Sequence, residues 1–401
     1  MLSLIRSKSV GASLGFAFAG AAFTFGNLLL ARELPAAEFG QLALAIAVYN
    51  LFIWLAPLGV DQVLLRRRLD PGPRLLLRVL ASCSLVAVFA CLATSAIYGP
   101  ALGFTISLGT AILGGGMAMA AGMGLRRHGW AALPLGATNV ASWSLLIAGV
   151  LGFALPLASA VTPLIILAGA AAVAAALTWA ALMRHGRVDG ADQDIVPRGE
   201  ALSLMVAAAA GALLVQIERF VIPHVLDYEA LATFAVIASV AIFPFRLLRS
   251  GSSFALVPRL RAASERSARF GLLIAEGKSL AATLLIASVL VVALAPTVAW
   301  VLTDGRYELE RPILFAACLN GIAKLLESVP QSAVVACGTA PEVRRLSWMS
   351  WVTIAASILG AWFGARWGLM GLICGSAIGC VIGSIPSALL ARKVVARGFI
   401  A

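Results

Sequence analysis

Lys324 and Glu327 stand three residues apart in an otherwise apolar stretch, 312–338, so both lie on one face of a helix formed there. Counted from Pro312, Lys324 falls about 18 Å along such a helix, near the middle of a hydrocarbon layer ~30 Å thick. Ionisable groups at that depth are costly and mark function by default. The ammonium can contact a polar ligand, and the carboxylate can modulate it or carry a proton. The structural alternatives are a mutually neutralised pair facing another helix, or a lysine reaching toward the inner surface. Four arginines border other apolar stretches. Arg32 closes the first, Glu218-Arg219 closes the seventh, and Arg246 and Arg249 follow Pro244 at the end of the eighth. Arg32 and Arg219 can gate or contact a ligand at the outer edge. Equally, they can cap helix C-termini, where the dipole favours cations, or pair with Glu38 and Glu229. Arg246 and Arg249 suit the entrance to a cavity or a membrane surface bearing anionic lipid. Asn27, Asn50, Asn139, Gln216 and Asn320 also lie in or beside apolar stretches, where an amide either binds a ligand hydroxyl or joins helices.

The elements that hold these residues follow from composition. Of the 401 residues, 61% are hydrophobic and 12% charged. Soluble domains are about half apolar and about a quarter charged, so a soluble enzyme, a nucleic-acid-binding domain and a secreted disulfide scaffold are excluded. Apolar runs bounded by charge predict twelve membrane spans: 10–31, 41–60, 75–97, 101–125, 130–155, 163–183, 201–217, 231–248, 279–302, 312–338, 346–365 and 367–391. Very tight turns join the third span to the fourth and the eleventh to the twelfth. The basic amphipathic segment 258–278 is expected to lie along the inner membrane surface.

The position of the charges orients the spans. With a cytoplasmic N-terminus, 24 of the 30 Lys and Arg fall on the cytoplasmic side, five outside, and Lys324 within a span. The net charge of +12 thus records topology rather than nucleic-acid binding. Both termini are expected in the cytoplasm. All six Cys fall inside spans as small apolar residues, and the three His are scattered at span ends. No metal cluster, cofactor motif or disulfide framework is expected. A membrane glycosyl-transfer enzyme is the lesser alternative, disfavoured by external loops that are short and poor in clustered carboxylates and His.

The longest polar stretch, 184–200, is expected to be a cytoplasmic linker between an N-terminal six-helix bundle, 1–183, and a C-terminal one, 201–401. The halves open alike. Arg32, Glu38, a span with Pro57 and Arg66–Arg68 are matched loosely by Arg219, Glu229, a span with Pro244 and Arg246 with Arg249. Six spans per half start both halves on the same side, which makes this a parallel repeat. The fold expected is an all-α integral membrane protein, two six-helix bundles around a central cavity.

The run Gly26-Asn27-Leu28-Leu29-Leu30-Ala31-Arg32-Glu33-Leu34-Pro35-Ala36-Ala37-Glu38-Phe39-Gly40 resembles the first helix and loop of bacterial polysaccharide-unit flippases. That branch shares a superfamily with multidrug extruders and lipid II flippases. Ala31-Arg32, Leu34, Pro35 and Glu38-Phe39-Gly40 carry the likeness, with Leu58-Gly59 at the next helix end. In the second half Glu218-Arg219 stands where the family has Asp-Arg, and Ala232-Thr233-Phe234 replaces its Gly-x-Tyr. Lipid II flippases carry two further helices, for which this chain has no room. The resemblance implies a polyprenyl-pyrophosphate-linked oligosaccharide as substrate, moved from the cytoplasmic to the outer leaflet by alternating access for cell-surface polysaccharide such as exopolysaccharide or O-antigen. It implies a bacterial inner membrane and no enzymatic activity. A coupling ion, H+ or Na+, and a polysaccharide polymerase are the further partners it suggests. Lys324, Glu327, Arg32, Arg219, Arg246, Arg249 and Asn27 are the candidate cavity residues, the basic ones as pyrophosphate contacts. A cation-coupled multidrug extruder of the same fold is the alternative, and it calls for an anionic cavity.

Overall fold

The computed structural model describes residues 8–66, 71–128, 130, 132–185, 198–246, 248, 256, 259–260, 263 and 265–397. Among the described residues the chain is all α-helix and turn, and it divides into two compact units, Met1–Ala212 and Leu213–Ala401.

The first unit contains α1 (Lys8–Glu33), α2 (Ala36–Leu55), the short α3 (Val60–Arg66), α4 (Pro73–Tyr98), α5 (Leu102–Arg127), α6 (Ala132–Thr138), α7 (Val140–Gly152) and α8 (Val161–His185). The first half of α9 (Arg198–Val225) also belongs to it. α4 shows how these helices meet lipid. Its buried residues, Leu75, Val79, Cys83, Ala87, Ala90 and Thr94, recur every three or four positions. Leu77, Leu85, Val88, Phe89 and Leu92 point outward. With hydrocarbon as solvent, large apolar side chains carry no penalty on the outside, and small ones let helices approach within. α5 is the buried pole. Gly114 meets the backbone of Ala171 in α8, Gly115 meets Tyr49 of α2, and Gly116 meets Ala56 and Cys83. The indole of Trp179 in α8 donates to the Met117 carbonyl at 3.0 Å.

Gly26 of α1 lies directly on the backbone of α7, where an added Cβ would stand 2.5 Å from the Leu146 nitrogen and 2.6 Å from the Leu145 carbonyl carbon. Backbone cannot yield as a side-chain tip can. Gly26→Ala is therefore expected to destabilise by about 1–3 kcal/mol through overpacking. Gly169→Ala, whose Cβ meets nothing within 4 Å, should cost nothing. Thermal unfolding of the two purified variants checks the contrast.

The second unit contains the rest of α9, then α10 (Tyr228–Ile237), which passes through a π turn, Ala238–Ile242, toward Arg246. It continues with α11 (Arg266–Leu302), α12 (Arg311–Cys337), α13 (Ala340–Gly364) and α14 (Gly368–Ala396). α13 starts at a capping box in which Thr339 and Glu342 satisfy each other's backbone and side chain. α13 and α14 fold back on each other with almost no side chain between them. Gly360 faces Gly375, Gly364 faces Gly371, and Gly379 faces Ala356. The reversal is a single 3-10 turn, Ala365–Trp367, followed by Gly368 at φ 71°.

Nine segments of the described residues are long and apolar enough to span a membrane, ten when α6 and α7 are counted as one broken span. One of the nine is the α13–α14 hairpin taken as a single stretch. The number twelve stays an expectation of the sequence. Three spans differ from it in course. The fifth is broken into α6 and α7 by a 67° bend. Thr138 donates to the carbonyls of Pro134 and Leu135, and Asn139 to that of Leu135. Such back-bonding competes with the helical ladder and bends it. From Arg266 onward the amphipathic segment is no separate in-plane helix, because it runs unbroken into the ninth span as the 37-residue α11. The seventh span does not stop at Ile217, since α9 continues to Val225.

Candidate functional site

That last difference moves Glu218 and Arg219 from a helix end into a helix. Glu218 lies seven residues before the end of α9, Asn320 nine after the start of α12, and Ser376 eight after the start of α14. At 1.5 Å per residue, each is about 10–14 Å in from its helix end. The three side chains meet. Asn320 Nδ2 donates to Glu218 Oε1 at 2.8 Å, and Ser376 Oγ donates to the same oxygen at 2.6 Å. Lys324, one turn beyond Asn320 on α12, extends its ammonium to both carboxylate oxygens at 2.7 Å. All four residues are buried. Asn320 Nδ2 also reaches the Ile373 carbonyl at 3.3 Å, tying α12 to α14 a second time.

Lys324 is thus neutralised by Glu218 on another helix, and not by Glu327. The Glu327 carboxylate is buried one turn away and accepts from Gln331 Nε2, whose amide also donates to Ser350 Oγ of α13 at 3.3 Å. The two acids on either side of Lys324 therefore have different surroundings: Glu218 an ammonium, Glu327 an amide.

Arg219 follows Glu218 in the chain, yet it gains no such partner. Its side chain is 1% exposed, it forms no ion pair among the described residues, and Nε has no hydrogen-bond partner. Nη1 donates to Gln216 Oε1 at 3.4 Å, a long bond within its own helix. Capping the end of the seventh span does not describe it, because six more helical residues follow. Nor does it pair with Glu229 among the described residues. Half-buried Arg246 reaches back to α9 and donates Nη2 to the Val215 carbonyl at 3.0 Å. Val215 is four residues before Arg219, on the same face of α9. Two guanidiniums are therefore held along one stretch of α9 whose carboxylate is already taken by a third cation. Arg249 lies outside the described residues.

In the first unit, Asn27 is buried and donates to the Phe23 carbonyl of its own helix at 2.8 Å. Arg32 is partly exposed, with Nε 3.4 Å from Glu33 and its guanidinium carbon 5.2 Å from the centre of the Phe153 ring. Glu38, one of the partners the sequence offered Arg32, instead accepts from the backbone nitrogen of Ala160 at 2.8 Å. The candidates thus fall into separate sets. Lys324, Arg219 and Arg246 gather on α9, α10 and α12, whereas Asn27 and Arg32 serve α1. Glu218 and Ser376 were missing from the set read in the sequence. For Glu218 a signal existed: the apolar Phe220-Val221-Ile222 after it extends the span past the charge, and an intramembrane lysine requires an acid. A single serine such as Ser376 gives no such signal.

No protein-family model matches the sequence, and no curated protein sequence matches it. Solved structures do. The fold is similar to the lipid II flippase MurJ in an inward closed conformation, with a TM-score of 0.70 and 13% identity over 96% of this chain and 87% of that one. It is similar to a multidrug resistance MATE family transporter of the MOP superfamily in an inward-facing conformation, at 0.64 and 13% identity over 94% of each chain. A third likeness is to the Vibrio cholerae MATE transporter VcmN in its bent form, at 0.55 and 16% identity, covering 97% of this chain and 98% of that one. The chain has the all-helical fold that MurJ and the MATE transporters share.

Proposed function

We propose that this protein is a flippase that carries a polyprenyl-pyrophosphate-linked oligosaccharide from the cytoplasmic to the outer leaflet by alternating access, supplying cell-surface polysaccharide synthesis. The fold it shares with a lipid II flippase supports the class of activity. The observation that carries the choice of substrate is Arg219, a fully buried guanidinium with an unpartnered Nε, beside a carboxylate already neutralised by Lys324. A buried cation without an acid destabilises a fold, and an anionic cargo that arrives in the transport cycle gives it a use. Arginine presents paired N–H donors that match phosphate oxygens. Arg246 extends the same donor set. The pyrophosphate and sugars cannot cross hydrocarbon bare, because an unpaired charge or hydroxyl there is very costly. Fixed cationic and amide donors replace the lost hydration while the prenyl tail stays in lipid.

In this reading, residues 1–183 and 201–401 are the two six-helix bundles, joined by the linker 184–200, and both termini face the cytoplasm of a bacterial inner membrane. Lys324, Glu327, Asn27 and Arg32 are, in the same reading, contacts of the cargo. A coupling ion and the polymerase that uses the flipped unit are its further partners. The MATE likenesses favour one second reading, a cation-coupled multidrug extruder. An extruder of cationic drugs needs acids in excess. The charges around Glu218 run the other way, with Lys324, Arg219 and half-buried Arg246 against two buried carboxylates, Glu218 and Glu327.

Deleting the gene and labelling lipid-linked oligosaccharide with a reagent confined to one leaflet tests the proposal. Accumulation on the cytoplasmic leaflet is expected. Normal sidedness of the lipid-linked unit in the deletion strain would refute it.

A further inference from the structure

Asp61 stands in the first turn of α3, a helix that ends in Arg66. Asp61 is 1% exposed, Oδ1 has no hydrogen-bond partner, and Oδ2 accepts from Gln62 Nε2 at 2.8 Å. Of the groups around it, α4 offers the thiol of Cys83. α5, packed along α3, carries Arg126, whose Nη1 rests on Met123 Sδ at 3.4 Å, and Arg127. None of these forms a hydrogen bond or ion pair with Asp61. Burial raises the Asp61 carboxyl from its ordinary value, outweighing the hydrogen bonds from the Gln62 side chain and from the Asp61 and Gln62 backbone that oppose it.

The turn that delivers Asp61 is unusual in its backbone. Leu58 has φ 49°, a region that disfavours a branched residue, and Gly59 follows at φ 78°. Gly59 lies so close to the carbonyl of Ala201 that a Cβ could not be placed there. Ala201 is in the first turn of α9, the helix that passes from the first unit into the second. The strained turn holding the lone carboxyl is thus pressed against the one described helix that both units share.

We propose that the Asp61 carboxyl is a proton-binding site, neutral while the Leu58–Gly59 turn is packed on Ala201 and ionised when that packing opens. On opening, the carboxyl O–H releases its proton to the water that enters, and on closing it takes one back from water. The packed state binds the proton more tightly, so acid favours packing and rising pH favours opening. Linkage sets the size: the open-to-packed ratio rises up to tenfold per pH unit between about 3.9, the ordinary aspartate value, and the raised value, then levels off. The site lies within the first unit and needs no cargo, so its test is independent of the flippase reading.

Spin labels on bioorthogonal residues at Leu65 and Leu202, both exposed, leave the native cysteines in place. Pulsed electron-spin distance measurements on the full chain in lipid nanodiscs are then taken over roughly pH 4 to 9. A longer-distance population that grows with pH is expected, retained in Asp61→Glu and lost in Asp61→Asn, which stays packed throughout. A distribution that ignores pH, or an Asp61→Asn variant with the wild-type response, would overturn the proposal. A second measurement needs no variant. The infrared spectrum of protein labelled with 13C-aspartate should show a protonated carboxyl band at neutral pH, and its absence would overturn the proposal as well.

Discussion

Lys324→Met is expected to destabilise the protein by about 3–5 kcal/mol, the cost of leaving a buried charge without its counter-charge. The change keeps the length and flexibility of the side chain and removes only the ammonium. Glu218 would then be left with the neutral donors of Asn320 and Ser376. Because its carboxylate joins α9, α12 and α14, the loss should be felt as loosening of the second unit rather than of one helix. The double variant Glu218→Gln/Lys324→Met removes both charges and retains an amide that can still accept from Asn320 and Ser376. It should recover most of the stability, since neutral replacements of whole buried pairs are often close to neutral in energy. Thermal unfolding of the single and double variants, read as a double-mutant cycle, checks this. A single variant as stable as the double would mean that the pair contributes no coupling.

Arg219→Leu is expected to act in the opposite direction on stability and more severely on transport. A buried guanidinium with no acid and an unbonded Nε costs about 1–3 kcal/mol or more in desolvation, so removing it should leave the fold equally or more stable. Flipping should fall by at least tenfold if the guanidinium meets the pyrophosphate, since a lost charge-assisted hydrogen bond is worth about 1.5–3 kcal/mol. Arg219→Lys keeps the charge but not the planar pair of donors, so it should retain intermediate activity. A stabilised protein with impaired transport separates a ligand contact from a structural one. A destabilised Arg219→Leu with unimpaired transport would make Arg219 structural.

The residues explain why some of this was legible in the sequence and some was not. The long spans are legible because hydrocarbon demands apolar side chains on every outward face, as α4 shows with Leu77, Leu85 and Val88. The α13–α14 hairpin is legible as two spans with almost no linker, but its zipper of glycines becomes meaningful only when Gly360 is seen against Gly375. Lys324 stands out because charge at that depth is rare. Its partner does not, because ending the seventh span at the first charge pair put Glu218 and Arg219 at the membrane edge, whereas the helix carries them inward of its end. The expected Lys324–Glu327 pair follows from proximity along one helix, and loses to a carboxylate brought by another. The bend at Asn139 depends on which hydroxyl and amide groups turn back on the backbone, which periodicity does not report. Asp61 passes as one more polar residue after a span until its burial and lack of a partner are known.

The most direct test of the flippase reading uses purified protein in vesicles containing a fluorescent polyprenyl-pyrophosphate saccharide, with a membrane-impermeant quencher added outside. A flippase makes the protected inner-leaflet fraction accessible at a rate proportional to protein, and Arg219→Leu at equal incorporation slows it at least tenfold, as estimated above from a lost charge-assisted hydrogen bond. Protein-containing vesicles that keep the same protected fraction as protein-free ones, across both imposed pH and Na+ gradients, would contradict it.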